Sequence, residues 1–258
     1  MAETIFIADL HLCESAPDIA RRLLALGPRL RQADAVYILG DLVEAWIGDD
    51  APIAPGLQPV LDLLAELSAH GIPVHFQHGN RDFLIGKRLA RQVGMVLLPE
   101  AVVTPLHGHR IALVHGDQLC TDDKPYQRMR RILRNPIVSF LLRRLPLAAR
   151  ERLASGLRAR SRVETQRKNA FIMDINHDAV HGLMTRLGVD VLIHGHTHRP
   201  AIHRESSGLR AVLGDWERGA VLIALGAHGL RLERVDDDGT AHVLDQASWP
   251  DPLRRNGV

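Results

Sequence analysis

Five apolar, β-rich runs along the chain each end in a small polar group: IFIAD, VYILGD, VHFQHGN, IALVHGD and VLIHGHTH. Apolar runs of this length, closed by glycine, aspartate or histidine, predict buried strands that hand the chain to a turn. The glycines at 40, 79, 116 and 195 permit that turn to be sharp. Residues 57–70, 87–94 and 172–187 carry apolar positions at helical spacing and predict three amphipathic helices. From residue 200 onward the runs AVLGDW, AVLIALGA and LRLERV, separated by glycine and aspartate, predict antiparallel strands completing a second sheet. Strands alternating with helices make this an α/β fold, in which polar groups at the carboxyl ends of neighbouring strands converge on one crevice. There is no internal repeat or low-complexity tract, and the last dozen residues are expected to be loosely held.

Length and composition fit that pattern. With 258 residues, 46% of them hydrophobic, the chain can bury a full core as one domain spanning 1–258. Charge is another matter, because the overall +2 conceals a segregation. Residues 124–168 hold fourteen lysines and arginines against Glu151 and Glu164, a net +12, which leaves −10 for the remainder. The segment lies between HGD and GHTH, where a compact core needs only one crossover, so an inserted helical lid is expected at about 122–168. Ile132, Leu133, Ile137, Val138, Phe140, Leu141, Leu142, Leu145 and Leu147 are too dense for a solvated arm, and Pro136 and Pro146 divide the stretch into short helices. An apolar face rimmed with arginine fits an anionic membrane surface. Nucleic acid is not the expected partner, since Tyr126 and Phe140 are the only aromatic groups there to stack on bases. A folded helical subdomain with hydrated arginines is the plainer alternative. No obligate protein partner is evident.

Two cysteines, Cys13 and Cys120, read as reduced, buried thiols rather than a disulfide framework. The first residues enter a strand without a basic and then apolar leader, and no apolar run reaches the length of a membrane span. A cytoplasmic protein, or one peripheral to a membrane, is expected.

The polar groups that close the runs supply Asp9, His11, Asp41, Asn80, His115, His196 and His198. Carboxylate, amide oxygen and imidazole together suit Mn²⁺, Zn²⁺ or Fe²⁺, with Mn²⁺ the first choice. Four histidines weigh against Ca²⁺ or Mg²⁺, and the absence of cysteine donors weighs against a structural zinc site. Two such ions about 3.5 to 4 Å apart share a bridging carboxylate, for which Asp41 is best suited, and activate water against phosphorus.

The ordered motifs DLH, GD, GN, HGD and GHTH, from residue 9 to residue 198, resemble those of the calcineurin-like metallophosphoesterases. That resemblance implies a four-layer αββα sandwich and two metals. One is held by Asp9, His11, Asp41 and His198, the other by Asp41, Asn80, His115 and His196. Many members read GNH where this chain reads GNR, with Arg81 in place of a histidine near the leaving group. Arginine does not surrender a proton near neutral pH. An alkoxide leaving group, whose conjugate acid has a pKa near about 15.7, would suffer from that loss. A phosphate, with a second pKa of about 6, leaves unaided. Arg81 therefore points to phosphoanhydride cleavage with a guanidinium clamp on the diphosphate, set against a plain surface pair with Asp82.

The longer strings FIADLHLC, YILGDLVEAWIGDD, HGNRDFLIGKR, HGDQLCTDD and LIHGHTHRPA go beyond the metal motifs. They resemble the UDP-2,3-diacylglucosamine hydrolases of the lipid A pathway in Gram-negative bacteria. The resemblance implies attack of metal-activated water on the α-phosphorus, release of UMP and 2,3-diacylglucosamine 1-phosphate, use of Mn²⁺, and peripheral attachment to the cytoplasmic face of the inner membrane. It assigns the reaction to Asp41, Asn80, Arg81 and His196, and substrate contact to Asn80, Arg81, Asp123, Ser161, Thr165, Lys168 and His196. Relatives can carry asparagine at Thr165. Ser161, Thr165 and Lys168 are spaced to share one helix face.

Other readings use the same metals. A general UDP-sugar or nucleotide pyrophosphatase would ignore acyl chains, and a phosphodiesterase would use the basic segment as a groove. A scaffold on this fold would tolerate missing ligands, and none is missing. His194 reads as support for the metal pair or as a packed strand end. Asp49 and Asp50 read as substrate-orienting groups or helix caps, and Asp117 as a hydrogen-bonding support. His75, His78, His107 and His109 have no place in the metal pattern.

Overall fold

A computed structural model of the chain describes residues 3–167 and 174–250, with residues 160–167 as backbone only. Four parallel strands, β1 (Thr4–Ile7), β2 (Ala35–Leu39), β3 (Val74–Gln77) and β4 (Val96–Leu98), form half of a seven-stranded sheet. Helices α1 (Pro17–Ala25), α2 (Gly27–Leu30), α3 (Gln58–Ala69) and α4 (Lys87–Val93) connect them on one face. The two central strands β1 and β2 are buried along their whole length and almost wholly apolar because both of their faces are covered. Ile5, Ile7, Val36, Ile38 and Phe76 meet Leu23, Leu30, Leu64 and Leu89 of the helical layer. Phe6, Tyr37 and Leu39 point the other way, into a second sheet.

That second sheet has the order β5–β6–β7–β9–β8, from β5 (Ala101–Leu106), β6 (His109–Val114), β7 (Val191–His194), β8 (Ala201–Glu205) and β9 (Gly208–Val212). Its inner face offers Ile111, Leu113, Val191 and Ile193 to the first sheet. Its outer face carries Val114 and Leu192 against Val180, Leu183 and Met184 of α8 (His177–Leu187). Helix, sheet, sheet, helix is the four-layer sandwich expected from the motifs. Among the described residues no helix is long and apolar enough to cross a membrane.

Three expectations need correction. Only Ala211 and Val212 of the run AVLGDW are in a strand, as the end of β9, which pairs parallel with β7 and antiparallel only with β8. The runs AVLIALGA and LRLERV form β10 (Ala220–Gly226) and β11 (Gly229–Val235), which with β12 (Ala241–Ser248) extend the first sheet beyond β1 rather than the second. The reason lies in β10, whose residues face both ways into apolar layers: Leu222 and Ala224 towards the helices, Val221, Ile223 and Leu225 towards the other sheet. Such a strand belongs in the middle of the sheet, and it pairs with β1, Ile223 opposite Phe6. Helix α8 starts at His177 rather than 172, because the Asn176 side chain accepts from Ala179 N and caps it there.

Between β6 and α8 the described residues form a single 3-10 turn (Asp117–Leu119) and three α-helices, α5 (Lys124–Leu133), α6 (Pro136–Arg144) and α7 (Leu147–Arg167). Asp123 caps α5 through Tyr126 N, and Asn135 caps α6 through Ile137 N. The breaks fall at the two prolines, as expected, but α7 is 21 residues long rather than short.

Candidate metal centre

The metal motifs occupy the loops that leave β1, β2, β3, β6 and β7. The first three of those strands belong to one sheet and the last two to the other, so the crevice lies across the edges of two packed sheets. Strand pairing continues past the strand ends: Asp9 N donates to Gly40 O at 3.1 Å, His11 N to Asp41 O at 2.9 Å, and Gly195 N to His115 O at 2.8 Å. Two carboxylates then cross between loops. Asp9 Oδ2 accepts from His196 N at 2.8 Å and joins the sheets, while Asp41 Oδ1 accepts from Arg81 N at 2.8 Å.

The backbone is strained where the donors sit. Asp9, His11, Asp41, His196 and His198 all have positive φ, between +50° and +71°, and among the described residues only one other non-glycine, His107, shares that conformation. Each such residue costs about 1 to 3 kcal/mol and persists only where its surroundings dictate it. Glycine gives these loops their close approach. A Cβ on Gly79 would lie 2.1 Å from Asp41 Oδ1, and one on Gly195 would lie 2.3 Å from Asp9 Oδ2.

All seven predicted donors come together. Asp9, His11 and His198 form one set of mutually close ligand atoms, and Asp9, Asp41 and His115 form another. His11 Nε2 is 3.4 Å from His198 Nε2, and His198 Nε2 is 3.6 Å from Asp9 Oδ1. Asp41 Oδ2 is equidistant, at 3.8 Å, from His11 Nε2 and His115 Nε2, which puts it between the two halves. On the far side His115 Nε2 lies 3.1 Å from Asn80 Oδ1, and its ring is 5.0 Å from that of His196. Buried Asp9 Oδ1 has no hydrogen-bond partner. An orphaned carboxylate oxygen amid imidazole, carboxylate and amide donors fits a divalent cation.

The electrostatics follow from this crowding. Burial pushes the Asp9 carboxyl up, but His198, His115 and His11 close by outweigh burial and hold it at about 2. Burial pushes His198 down, while Asp215 and Asp9 hold it up at about 10. For His115 burial likewise opposes protonation, and Asp41 and Asp9 prevail, so its pKa is raised. His196, in contrast, is carried down to about 4 by burial, with His115 adding to the effect.

Several residues around the site were invisible to pattern reading. Asp215 lies 3.6 Å from His198 Nδ1, the Leu39 carbonyl 2.8 Å from His115 Nδ1, and Glu44 3.2 Å from His11 Nδ1. Asp82 is fully buried, accepting from Gly79 N at 2.7 Å and Leu42 N at 2.8 Å. That excludes the surface pair between Arg81 and Asp82. Among the described residues the acid that meets the Arg81 guanidinium is instead Glu44, at 3.7 Å.

Asp117, expected as a support, is buried and accepts from Tyr126 Oη at 3.0 Å and Arg130 Nε at 2.8 Å. Arg134, the C-cap of the same helix, donates to Gly79 O at 2.9 Å, so α5 is tied to two of the metal loops. Asp49 accepts from Gly86 N, Arg88 N and Leu89 N at the start of α4, which makes it a cap, and Asp50 pairs with Arg150 of α7. His194 is a packed strand end, buried, with burial taking it down to about 3. Cys120 is buried and its thiol is pushed up to about 12 by burial, whereas Cys13 is only partly buried, contrary to expectation.

Of the carried-over substrate contacts, Asn80, Arg81 and His196 border the donor cluster. Asp123 is buried at the start of α5. Ser161 and Thr165 fall on the backbone-only part of α7, and Lys168 lies outside the described residues. Between the three inserted helices and the 44–47 loop runs a cavity of about 110 Å³, with Asn80 and Arg81 at its border and Trp46, Phe83, Met129, Leu133, Leu142 and Leu157 on its walls. On the outside of the same helices Ile132, Ile137, Phe140 and Leu141 are each more than half exposed.

Residues 3–200 match the family described as calcineurin-like phosphoesterase. A UDP-2,3-diacylglucosamine hydrolase of Pseudomonas fluorescens strain SBW25 is 47% identical over 237 residues, covering 90% of this chain and 95% of that protein. A UDP-2,3-diacylglucosamine hydrolase of Pectobacterium carotovorum subsp. carotovorum strain PC1 is 49% identical over 234 residues, covering 89% and 97%.

Proposed function

The chain belongs to the calcineurin-like phosphoesterases, and we propose that it hydrolyses the diphosphate of UDP-2,3-diacylglucosamine, the substrate named in its near relatives. Water attacks the α-phosphorus, and the products are UMP and 2,3-diacylglucosamine 1-phosphate (lipid X), an intermediate of lipid A biosynthesis. The observation that carries this reading is the adjacency of a five-residue donor cluster with Asn80 and His196 beside it, an arginine and an apolar cavity.

In this reading Asp9, His11, Asp41 and His198 would hold one Mn²⁺, and Asp41, Asn80, His115 and His196 would hold a second. Bound there, the pair lowers the pKa of water and stabilises the charge that develops on phosphorus. Asp41, between the two halves, would serve both. Asn80 and His196 border the reacting phosphate, and Arg81 neutralises the diphosphate and stays protonated as the phosphate leaves. Asp123, Ser161, Thr165 and Lys168 bind the nucleotide-sugar portion. The cavity under α5 to α7 encloses an acyl chain. Ile132, Ile137, Phe140 and Leu141, with the surrounding arginines, rest on the anionic cytoplasmic face of the inner membrane, where such a lipid is found.

The test is a Mn²⁺-supplemented assay on UDP-2,3-diacylglucosamine in detergent, beside UDP-N-acetylglucosamine and an aryl phosphodiester, with products identified by mass. UMP and diacylglucosamine 1-phosphate formed from the lipid alone is the expected result. Cleavage of only the two small substrates would assign the cavity to another ligand.

A further inference from the structure

Glu44 belongs neither to the metal donors nor to the expected substrate contacts, yet it touches both groups. It follows Asp41 by three residues, and its backbone N donates to Leu12 O at 3.1 Å, which fixes it beside His11. Oε2 lies 3.2 Å from His11 Nδ1 and Oε1 lies 3.7 Å from Arg81 Nη1, with the carboxylate largely sheltered at 19% exposure. One carboxylate thus spans an imidazole of the metal cluster and the guanidinium at the cavity border.

A histidine that offers Nε2 to a cation carries its proton on Nδ1, and an acceptor for that proton fixes both tautomer and ring orientation. His115 has the Leu39 carbonyl for this purpose and His198 has Asp215. His11 turns Nε2 towards His198 and Asp41, and its buried Nδ1 makes no hydrogen bond, so it needs the same service, for which the Glu44 carboxylate at 3.2 Å is in reach. The second oxygen has a separate task. Arg81 Nε is buried without a hydrogen-bond partner, and among the described residues Glu44 is the acid that its guanidinium meets.

We propose that Glu44 is a positioning residue that sets the His11 tautomer with one oxygen and aims Arg81 with the other. It thereby couples occupancy of the His11 half of the metal pair to placement of the diphosphate clamp. The proposal rests on the dinuclear reading above. It makes the acid in GDLVEAW part of the site, although it touches neither metal nor reacting atoms.

Calorimetric titration of the metal-free full chain with Mn²⁺ tests it, with steady-state kinetics on the same proteins. The wild-type chain should bind two ions. Glu44→Ala should weaken one of the two sites about 10- to 100-fold and leave the other within a few-fold. Glu44→Gln keeps a carbonyl oxygen for His11 Nδ1 but loses the charge facing Arg81. It should restore metal binding to within a few-fold of wild type while kcat/KM for the lipid substrate stays about tenfold down. Thermal melting of the metal-free variants within a few degrees of wild type excludes a folding defect, and the near-isosteric Gln variant keeps the test available if the Ala variant fails to fold. A wild-type chain that binds fewer than two ions overturns the dinuclear reading itself. Two ions bound by wild type and by Glu44→Ala with the same affinities, or a Gln variant with unchanged kcat/KM, overturns the role of Glu44 alone.

Discussion

The loops around the metal cluster and the three helices inserted beside them are built on opposite terms. In the loops the backbone is strained at Asp9, His11, Asp41, His196 and His198, neighbouring loops bond directly to one another, and Gly79 and Gly195 let carboxylates press against main chain. In the insertion the backbone is regular helix with ordinary caps, and the large apolar side chains of α6 lie open. The two strategies suit the two tasks proposed for them: positioning ions against a phosphate needs atoms that cannot move, and admitting a lipid needs surface that remains available. The seam between them is not loose, since Asp117, Arg130 and Arg134 anchor α5 to the metal loops.

Breaking the rigid side should have the largest effect. Asp41→Ala or His115→Ala should lower turnover by about 10³-fold or more, equivalent to at least about 4 kcal/mol of transition-state stabilisation, with far-UV circular dichroism unchanged. Retained activity would show that the pair of ions is not what activates water. At the seam, Asp117→Asn leaves Arg130 partly uncompensated in a buried place and should cost about 3 kcal/mol, a drop of about 6 to 12 °C in Tm by calorimetry. An unchanged Tm would mean that α5 is held by packing alone.

On the open side, Leu142→Ala with Leu157→Ala should raise KM for the acylated substrate about 10- to 100-fold and leave KM for a soluble UDP-sugar near its original value. Equal effects on both would argue against acyl binding in the cavity. Metal affinity of the native chain should rise with pH. The folded, metal-free chain holds His198 protonated up to about 10, a metal requires its neutral imidazole, and so each unit of pH below that value removes up to about a factor of ten. Calorimetry in buffers of different ionisation enthalpy, giving about one or more protons released at pH 8, checks this. The smallest effect belongs to Ile137→Asp with Phe140→Asp, which should reduce sedimentation with phosphatidylglycerol vesicles several-fold while kcat on a soluble substrate is kept.

The same contrast governs what can be read from the sequence. The donors are legible because each closes an apolar strand, so strand placement and ligand placement are one signal. Glu44, Asp82 and Asp215 are not, because their roles depend on reaching His11, two backbone amides and His198 across loops that no spacing relates. The tail was misplaced for a similar reason. Apolar runs announce β10 and β11 as strands, but only the packing of β10 on both faces assigns them to the first sheet. In the insertion, composition indicates a basic, apolar helical segment and its prolines mark the breaks. It does not indicate that Leu142 would line a cavity while Leu141 beside it faced outward.

The central claim is that the metal cluster directs water to the α-phosphorus of UDP-2,3-diacylglucosamine. Hydrolysis in ¹⁸O-labelled water, with both products analysed by mass spectrometry, tests it most directly. One ¹⁸O in UMP and none in the diacylglucosamine 1-phosphate is the predicted result. Label in the lipid phosphate would place attack at the other phosphorus, and absence of both products would contradict the account as a whole.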